Sequence, residues 1–261
     1  MDILEKIVRD KRKEVDLRKS IIPISQLENS VLCNRDKVSL AQALKNSATG
    51  IIAEHKRRSP SKSIINNNLN VQDVAIGYES AGVCGMSVLT DGKYFGGSLD
   101  DLLVTRAAVQ LPLLRKEFVI DEYQILEAKA YGADVILLIA AILTRNEIKK
   151  LSEFAKTLDL DVLLEVHNEE ELHKSVMPSL DMLGVNNRNL KTFSVSLETS
   201  KSLASLIPND FVKVSESGIS SIEAIKELQP YGYRGFLIGE NFMKTENPGK
   251  SATNFIKSLV S

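Results

Sequence analysis

The chain has 261 residues, 43% hydrophobic and 26% charged, the balance of a globular protein long enough for one large α/β domain. A formal net charge of −1 excludes a global attraction for nucleic acid or anionic membrane, so a charged ligand must be held by a local cluster. No apolar run approaches the ~20 residues that span a bilayer, residues 1–20 mix acids and bases without the apolar centre of a signal peptide, and the two cysteines, Cys33 and Cys84, suggest neither a disulfide framework nor a metal site.

Residues 2–20 place Ile3, Leu4, Ile7 and Val8, then Val15 and Leu17, in a charged background, which predicts an amphipathic helix that weakens in its second half. A Pro-containing linker is expected over Ile21 to Ser25, and a second helix from near Ser39 through Leu44. Residues 1–48 thus form a helical extension before a repeated pattern begins. From Ile51 onward eight apolar runs recur: Ile51–Ala53, Met86–Leu89, Leu111–Leu114, Val135–Ile139, Val162–Leu164, Met182–Val185, Phe211–Val214 and Phe236–Ile238. Helical patterns lie between them. Thr144 with Glu147 and Ser220 with Glu223 fit capping boxes, Asp121 and Asn168 fit N-caps, and Asn247-Pro248 puts proline at a first helical position. Gly82, Gly132 and Gly232 stand where helices should stop. Strands alternating with helices imply parallel pairing, and eight such units fit one closed (β/α)8 barrel over residues 1–261. An open doubly wound sheet is the competitor, but no G-x-G-x-x-G follows the first strand.

In such a barrel the C-terminal strand ends carry the site. Glu54 and Lys56, two apart, would project together from the first strand; alone they are equally compatible with a surface ion pair. Lys116 follows the third strand, Glu165 the fifth, Asn186 and Arg188 the sixth, Glu216 the seventh and Glu240 the eighth. Six strand ends would bring acids and bases into one cleft, a mutually shifted set suited to proton transfer. Strand four ends in Leu138-Ile139-Ala140-Ala141, an apolar wall suited to an aromatic ligand face. The Glu216-Ser217-Gly218 and Gly239-Glu240-Asn241 turns follow strands seven and eight, where barrels often bind phosphate. Ser59, Lys56 and Arg188 are further candidates for holding that anion.

These segments resemble those of the indole-3-glycerol phosphate synthase family of tryptophan biosynthesis. The resemblance rests on Glu54-x-Lys56-x-x-Ser59-Pro60-Ser61, Leu114-x-Lys116-x-Phe118, Leu164-Glu165-Val166, Val185-Asn186-Asn187-Arg188-Asn189-Leu190, Ser215-Glu216-Ser217-Gly218 and Leu237-Ile238-Gly239-Glu240, in order along nearly the whole chain. It implies a carboxy-lyase that closes the ring of 1-(2-carboxyphenylamino)-1-deoxyribulose 5-phosphate to give indole-3-glycerol phosphate, carbon dioxide and water, with no cofactor and no metal. It further implies that Lys116 protonates the substrate carbonyl oxygen and that Glu165 is the acid/base of the dehydration. Lys56 would share proton transfer and bind the carboxylate region, Glu54 would hold the lysines charged, Asn186 would hydrogen-bond the substrate and Glu216 its hydroxyls. Ser59, Ser217, Gly218, Gly239 and the Glu240 backbone would take the phosphate, and Phe118 and Leu138 would pack on the anthranilate ring. Ser63, where the family usually has glycine, and the Asn66-Asn67-Asn68 run depart from the pattern and put the flexibility of that loop in question.

Three other readings remain open at this point. The isomerase of the preceding step would need a cysteine where Glu54 and Lys56 stand. A catalytically silent barrel would serve as a scaffold or partner. Lys56-Arg57-Arg58 with Ser59 would mark a nuclear-import or nucleic-acid patch, which the net charge disfavours. His55 is expected to face outward beneath the helices and Cys84 to be core. The expected partner is a small phosphorylated substrate, with no nucleic acid and no membrane, in a cytoplasmic monomer able to associate with other tryptophan-pathway enzymes.

Overall fold

A computed structural model describes residues 3–59, 64–190 and 192–261. Eight strands, β1 (Ile51–His55), β2 (Gly85–Leu89), β3 (Leu113–Lys116), β4 (Val135–Ile139), β5 (Asp161–Val166), β6 (Met182–Asn186), β7 (Val212–Glu216) and β8 (Tyr233–Ile238), pair in sequence order, all parallel, and β8 closes on β1. The barrel expected from the alternating pattern is therefore present. Three helices precede it: α1 (Ile3–Ile21), α2 (Ile24–Glu28) and α3 (Leu40–Asn46). The helices α4 (Val71–Ala81), α5 (Gly92–Phe95), α6 (Leu99–Ala108), α7 (Glu122–Ala130), α8 (Arg145–Thr157), α9 (Glu169–Ser175), α10 (Glu198–Ala204), α11 (Ile222–Leu228), α12 (Glu240–Met243) and α13 (Pro248–Val260) follow in order between and after the strands.

Each strand is buried on both faces, and alternate residues belong to different cores. Ile51, Ala53, Val88, Ile136, Leu138 and Leu164 point outward and pack under helix residues such as Val74, Ile125 and Ile148. Ile52, Leu114, Leu137, Leu163, Val214 and Leu237 fill the lumen. Leu40 and Leu44 of α3 join the lumen cluster at the N-terminal floor, and Ile7 of α1 and Phe118 join it at the mouth. Burying each such aliphatic side chain contributes roughly 1.5–3 kcal/mol before entropy is subtracted.

Local chemistry sets the boundaries. Thr144 and Glu147 form the expected capping box, and Asp121, Asn168 and Asn247 cap their helices through their side chains. The box expected at Ser220 is displaced: Ser221 is the N-cap and accepts from the Ala224 amide, so Glu223 is not at the reciprocating position. The linker expected over 21–25 shrinks to an elbow at Ile22-Pro23, because proline ends α1 yet leads directly into α2. Pro112 has no N–H to donate, and β3 begins after it, later than the apolar run suggests.

The extension runs as a strap from mouth to floor. Ile3, Leu4 and Ile7 sit at the mouth. Lys11, 2% exposed, places Nζ 2.8 Å from Asp91 and 3.0 Å from Glu117. Farther along, Arg18 pairs with Glu127 at 2.5 Å, and the Ser30 hydroxyl donates to the Ala130 carbonyl. Below these contacts Asp134, fully buried, accepts from Arg35 (2.5 Å), Arg106 (3.0 Å) and the amides of Val38 (2.8 Å) and Leu113 (2.9 Å). At the floor Ser39 donates to Asp161 at 2.6 Å.

One carboxylate thus compensates two guanidinium groups and two amides. Asp134→Ala should lower unfolding stability by roughly 3–5 kcal/mol, since removing one member of a buried charge set strands the others. Urea denaturation compared with the unmodified chain measures this, and a change below about 1 kcal/mol would refute it.

Candidate active site

The alternation that points Ile52 into the lumen also points the Glu54 side chain inward. Glu54 sits at the centre of the cleft: its Oε1 lies 2.8 Å from Lys56 Nζ and its Oε2 lies 3.5 Å from Lys116 Nζ. Lys116, the last residue of β3, also reaches Glu216 of β7 at 2.7 Å. Glu165 of β5 faces Lys116, and Asn186 of β6 hydrogen-bonds to Glu165. All six residues line one cleft of about 380 Å³.

Burial alone would neutralise these groups, and their mutual contacts decide otherwise. Burial opposes the Lys116 charge, but Glu216, Glu54 and Glu165 outweigh it and hold the ammonium well above the usual lysine range. Burial likewise opposes the Glu54 charge, and Lys56 and Lys116 keep it below the usual carboxylate range. Glu165 is lowered to about 2 because His167 and Lys116 overcome its burial. Glu216 goes the other way, to about 7: burial and the charges of Glu165 and Glu54 exceed the help from Lys116.

The cleft has a polar rim and an apolar wall. Ser59, Arg188, Ser217, Gly218, Gly239 and Glu240 stand on the rim. Ser217 and Gly218 adopt consecutive left-handed conformations (φ +66° and +78°). A Cβ on Gly239 would fall 2.4 Å from Glu54 Oε1, so glycine is needed there for β8 to pass the central carboxylate. Arg188 donates to the Phe193 carbonyl at 3.1 Å, which fixes the loop after β6. The wall is made by Phe118, Phe95, Leu137 and Ile139. Phe95 and Phe118 approach to 5.8 Å between ring centroids.

Leu138 is a correction. It faces the helices and belongs to the outer core, and its neighbours Leu137 and Ile139 line the cleft instead. The run Val135–Ile139 is apolar at every position, so it carried no sign of which face was inward. Phe95, the α1 residues, His167 and Gly184 also went unnoticed in the sequence. Lumen parity counted from Glu165, which pairs with Ile139, would have found Ile139; no motif announced the others.

The arginines left without a role brace the loops. Arg57 holds Asp101 with both terminal nitrogens (2.5 and 2.8 Å), and Arg58 donates to the carbonyls of Gly92 and Lys93. Lys56 thus lies in the cleft and Arg57 is paired with Asp101, so among the described residues this stretch forms no open basic face. His55 is buried outside the lumen as expected, where burial and then Arg57 push its pKa down to about 4. Cys84 is half-buried against the lumen cluster rather than fully core. In the loop after β1, Asn66 donates to the Met243 carbonyl, tying it to α12, while Pro60, Ser61 and Ser63 lie outside the described residues.

A family model described as indole-3-glycerol phosphate synthase matches residues 4–255. A protein of that description from Bacteroides thetaiotaomicron is 48% identical over 258 residues, covering 99% of both chains, and one from Aliarcobacter butzleri is 40% identical, covering 98% of this chain and 99% of its own. The chain belongs to the indole-3-glycerol phosphate synthase family. Among solved structures, KGPDC from Streptococcus mutans superposes with a TM-score of 0.63 at 12% identity, covering 82% of this chain and 98% of its own. A thiamine phosphate pyrophosphorylase from Pyrococcus furiosus gives 0.62 at 16% identity, covering 85% of this chain and 98% of its own. Both show the barrel alone. An enzyme of the synthase family acts on a small phosphorylated substrate. Among the described residues no group of acids, histidines and cysteines is arranged to hold a metal ion, and no helix is long and apolar enough to cross a membrane.

Gly184 keeps space for the centre, since a Cβ there would lie 2.5 Å from Glu216 Oε1 and 3.2 Å from Leu163 Cδ1. Gly184→Ala should push Glu216 off Lys116 and cut kcat/KM by about 10²-fold with the fold retained. Steady-state assay beside circular dichroism checks this, and near-normal turnover would show that Glu216 tolerates displacement.

Proposed function

We propose that this cleft closes the indole ring of 1-(2-carboxyphenylamino)-1-deoxyribulose 5-phosphate with Lys116 as the first proton donor. The observation that carries the reading is the position of Lys116, a buried ammonium 2.7 Å from Glu216 and 3.5 Å from Glu54 at the foot of the apolar wall. Phe118, Phe95, Leu137 and Ile139 offer a slot for the anthranilate ring. Ser59, Ser217, Gly218, Gly239 and the Glu240 backbone, with Arg188 beside them, are the candidates for holding the phosphate. Spanning the substrate between these two ends would set its carbonyl carbon against the ring carbon that bears the carboxylate.

In the first step that ring carbon attacks the carbonyl carbon, and Lys116 gives its proton to the oxygen. The carbon–carboxylate bond then breaks, carbon dioxide leaves, and the electron pair restores the aromatic ring. In the second step the new hydroxyl departs as water with a proton from Lys56, driven by the ring nitrogen. Glu165 then removes a proton from the adjacent carbon to complete the indole. Two protons are donated and one is recovered. A carboxylate enters and neutral carbon dioxide leaves, so each turnover draws one proton from solvent. Glu54 pairs with both lysines and helps keep Lys116 charged, Asn186 orients the substrate, and Glu216 contacts its hydroxyls while pairing Lys116. The groups are mutually dependent, so the catalytically silent alternative has no feature in the cleft to support it.

Lys116→Ala should still fold, at reduced stability because Glu54 and Glu216 lose their shared cation, and should lose turnover by at least about 10²-fold, the usual contribution of a positioned proton donor. The assay is the appearance of indole fluorescence with purified protein. Near-normal turnover would remove Lys116 from its role.

A further inference from the structure

The charged contacts of the centre continue past Glu165. Two residues on, His167 is 8% exposed, with Nε2 3.3 Å from Glu165 Oε1 and Nδ1 3.1 Å from Glu171 Oε2. The Glu171 carboxylate is itself fixed: Oε2 accepts from the His167 amide at 2.8 Å and Oε1 from the Asn168 side chain at 3.0 Å. Asn168 in turn caps α9 by accepting from the Glu171 amide at 2.9 Å. Nδ1 is therefore hydrogen-bonded to Glu171, while buried Nε2 stands at ion-pair distance from Glu165 without a hydrogen bond to it. A neutral imidazole has one N–H and one lone pair, so one nitrogen would turn its lone pair toward a carboxylate; the imidazolium donates at both. None of the steps above uses this side chain.

The charged groups facing Glu165 are His167 beside it, Lys116 from β3 and Glu216 from β7; β6 offers neutral Asn186, and β4 the apolar Leu137 and Ile139. Lys116 is shared among Glu216, Glu54 and Glu165, with its shortest contact to Glu216. The groups facing His167 are Glu165 and Glu171. His167 is thus the cation that belongs to Glu165.

We propose that His167 is a positioning residue for Glu165: held as an imidazolium between Glu165 and Glu171, it keeps Glu165 an ionised, fixed-orientation proton acceptor in a buried site. The proposal rests on the role given above to Glu165. Burial opposes the His167 charge, but Glu165 and Glu171 outweigh it and raise its pKa to about 10, while Glu165 falls to about 2. Without the imidazolium, burial of Glu165 is opposed only by the shared Lys116 and the Asn186 hydrogen bond, so Glu165 binds its proton more tightly. A base that protonates at higher pH moves the acid limb of the rate profile upward.

The experiment is the pH dependence of kcat/KM for the unmodified chain, His167→Asn and His167→Gln, with Glu165→Gln as companion. The acid limb should rise by about one pH unit or more in both histidine variants, with activity recovering above it. An unmoved limb, or a loss of equal factor at every pH, overturns the proposal and leaves His167 a packing residue. Turnover surviving in Glu165→Gln would instead overturn the role of Glu165 itself. A second measurement needs no variant: the His167 ring, assigned in the NMR spectrum of the unmodified chain, should stay protonated at about pH 8.5, where a histidine of ordinary pKa is neutral. Titration in the ordinary histidine range overturns the proposal whatever the variants do.

Discussion

A strand in a closed barrel has one face toward the lumen and one toward the helices, and the rest of this molecule depends on which residue falls on which face. The same parity that sends Ile52 into the lumen sends Glu54 there too, and sends His55 out beneath the helices. Closure through β8 and β1 forbids any strand to slip by one residue, because a slip would exchange its lumen set for its helix set. Acids and bases from separate strands can therefore be held within hydrogen-bond distance of one another without a loop to position them.

That rigidity is what lets so many charges share a dry space. An isolated buried ammonium would shed its proton, and an isolated buried carboxylate would take one up. Here Lys116 lies between two carboxylates and Glu54 between two lysines, so Lys116 and Glu54 each help hold the other's charge. Glu216 carries the residual tension, since burial and two like charges act on it against one cation. Divergent proton affinities among adjacent groups are the pattern expected where donors and acceptors must coexist.

The barrel was readable in the chain because eight apolar runs alternate with helix caps of known chemistry. The central residues were readable because each ends an apolar run with an ionisable group, as at Ala53-Glu54 and Leu164-Glu165. What escaped notice did so for physical reasons. In Val135–Ile139 both faces are apolar, so Leu138 was placed in the cleft when Leu137 and Ile139 belong there. Gly184 matters for the side chain it lacks, and its neighbour Glu216 comes from another strand. Phe95 arrives on a four-residue helix after β2, and Ile3, Leu4 and Ile7 arrive from the far end of the chain. Contacts of that kind are set by tertiary geometry, which periodicity does not carry.

The strap formed by the extension also bears on the order in which the molecule assembles. Its polar anchors are Asp91, Glu117, Glu127, Asp134 and Asp161, all far along the chain from Lys11, Arg18, Arg35 and Ser39. A chain emerging from the ribosome presents the strap before the barrel, so nothing exists for it to grip until β2 through β5 have been made. Docking this segment is a non-local event, with the loop-closure cost that slows such events. Until then Ile7, Val15 and Leu27 remain uncovered, and the nascent chain carries an apolar stripe with no barrel to bury it.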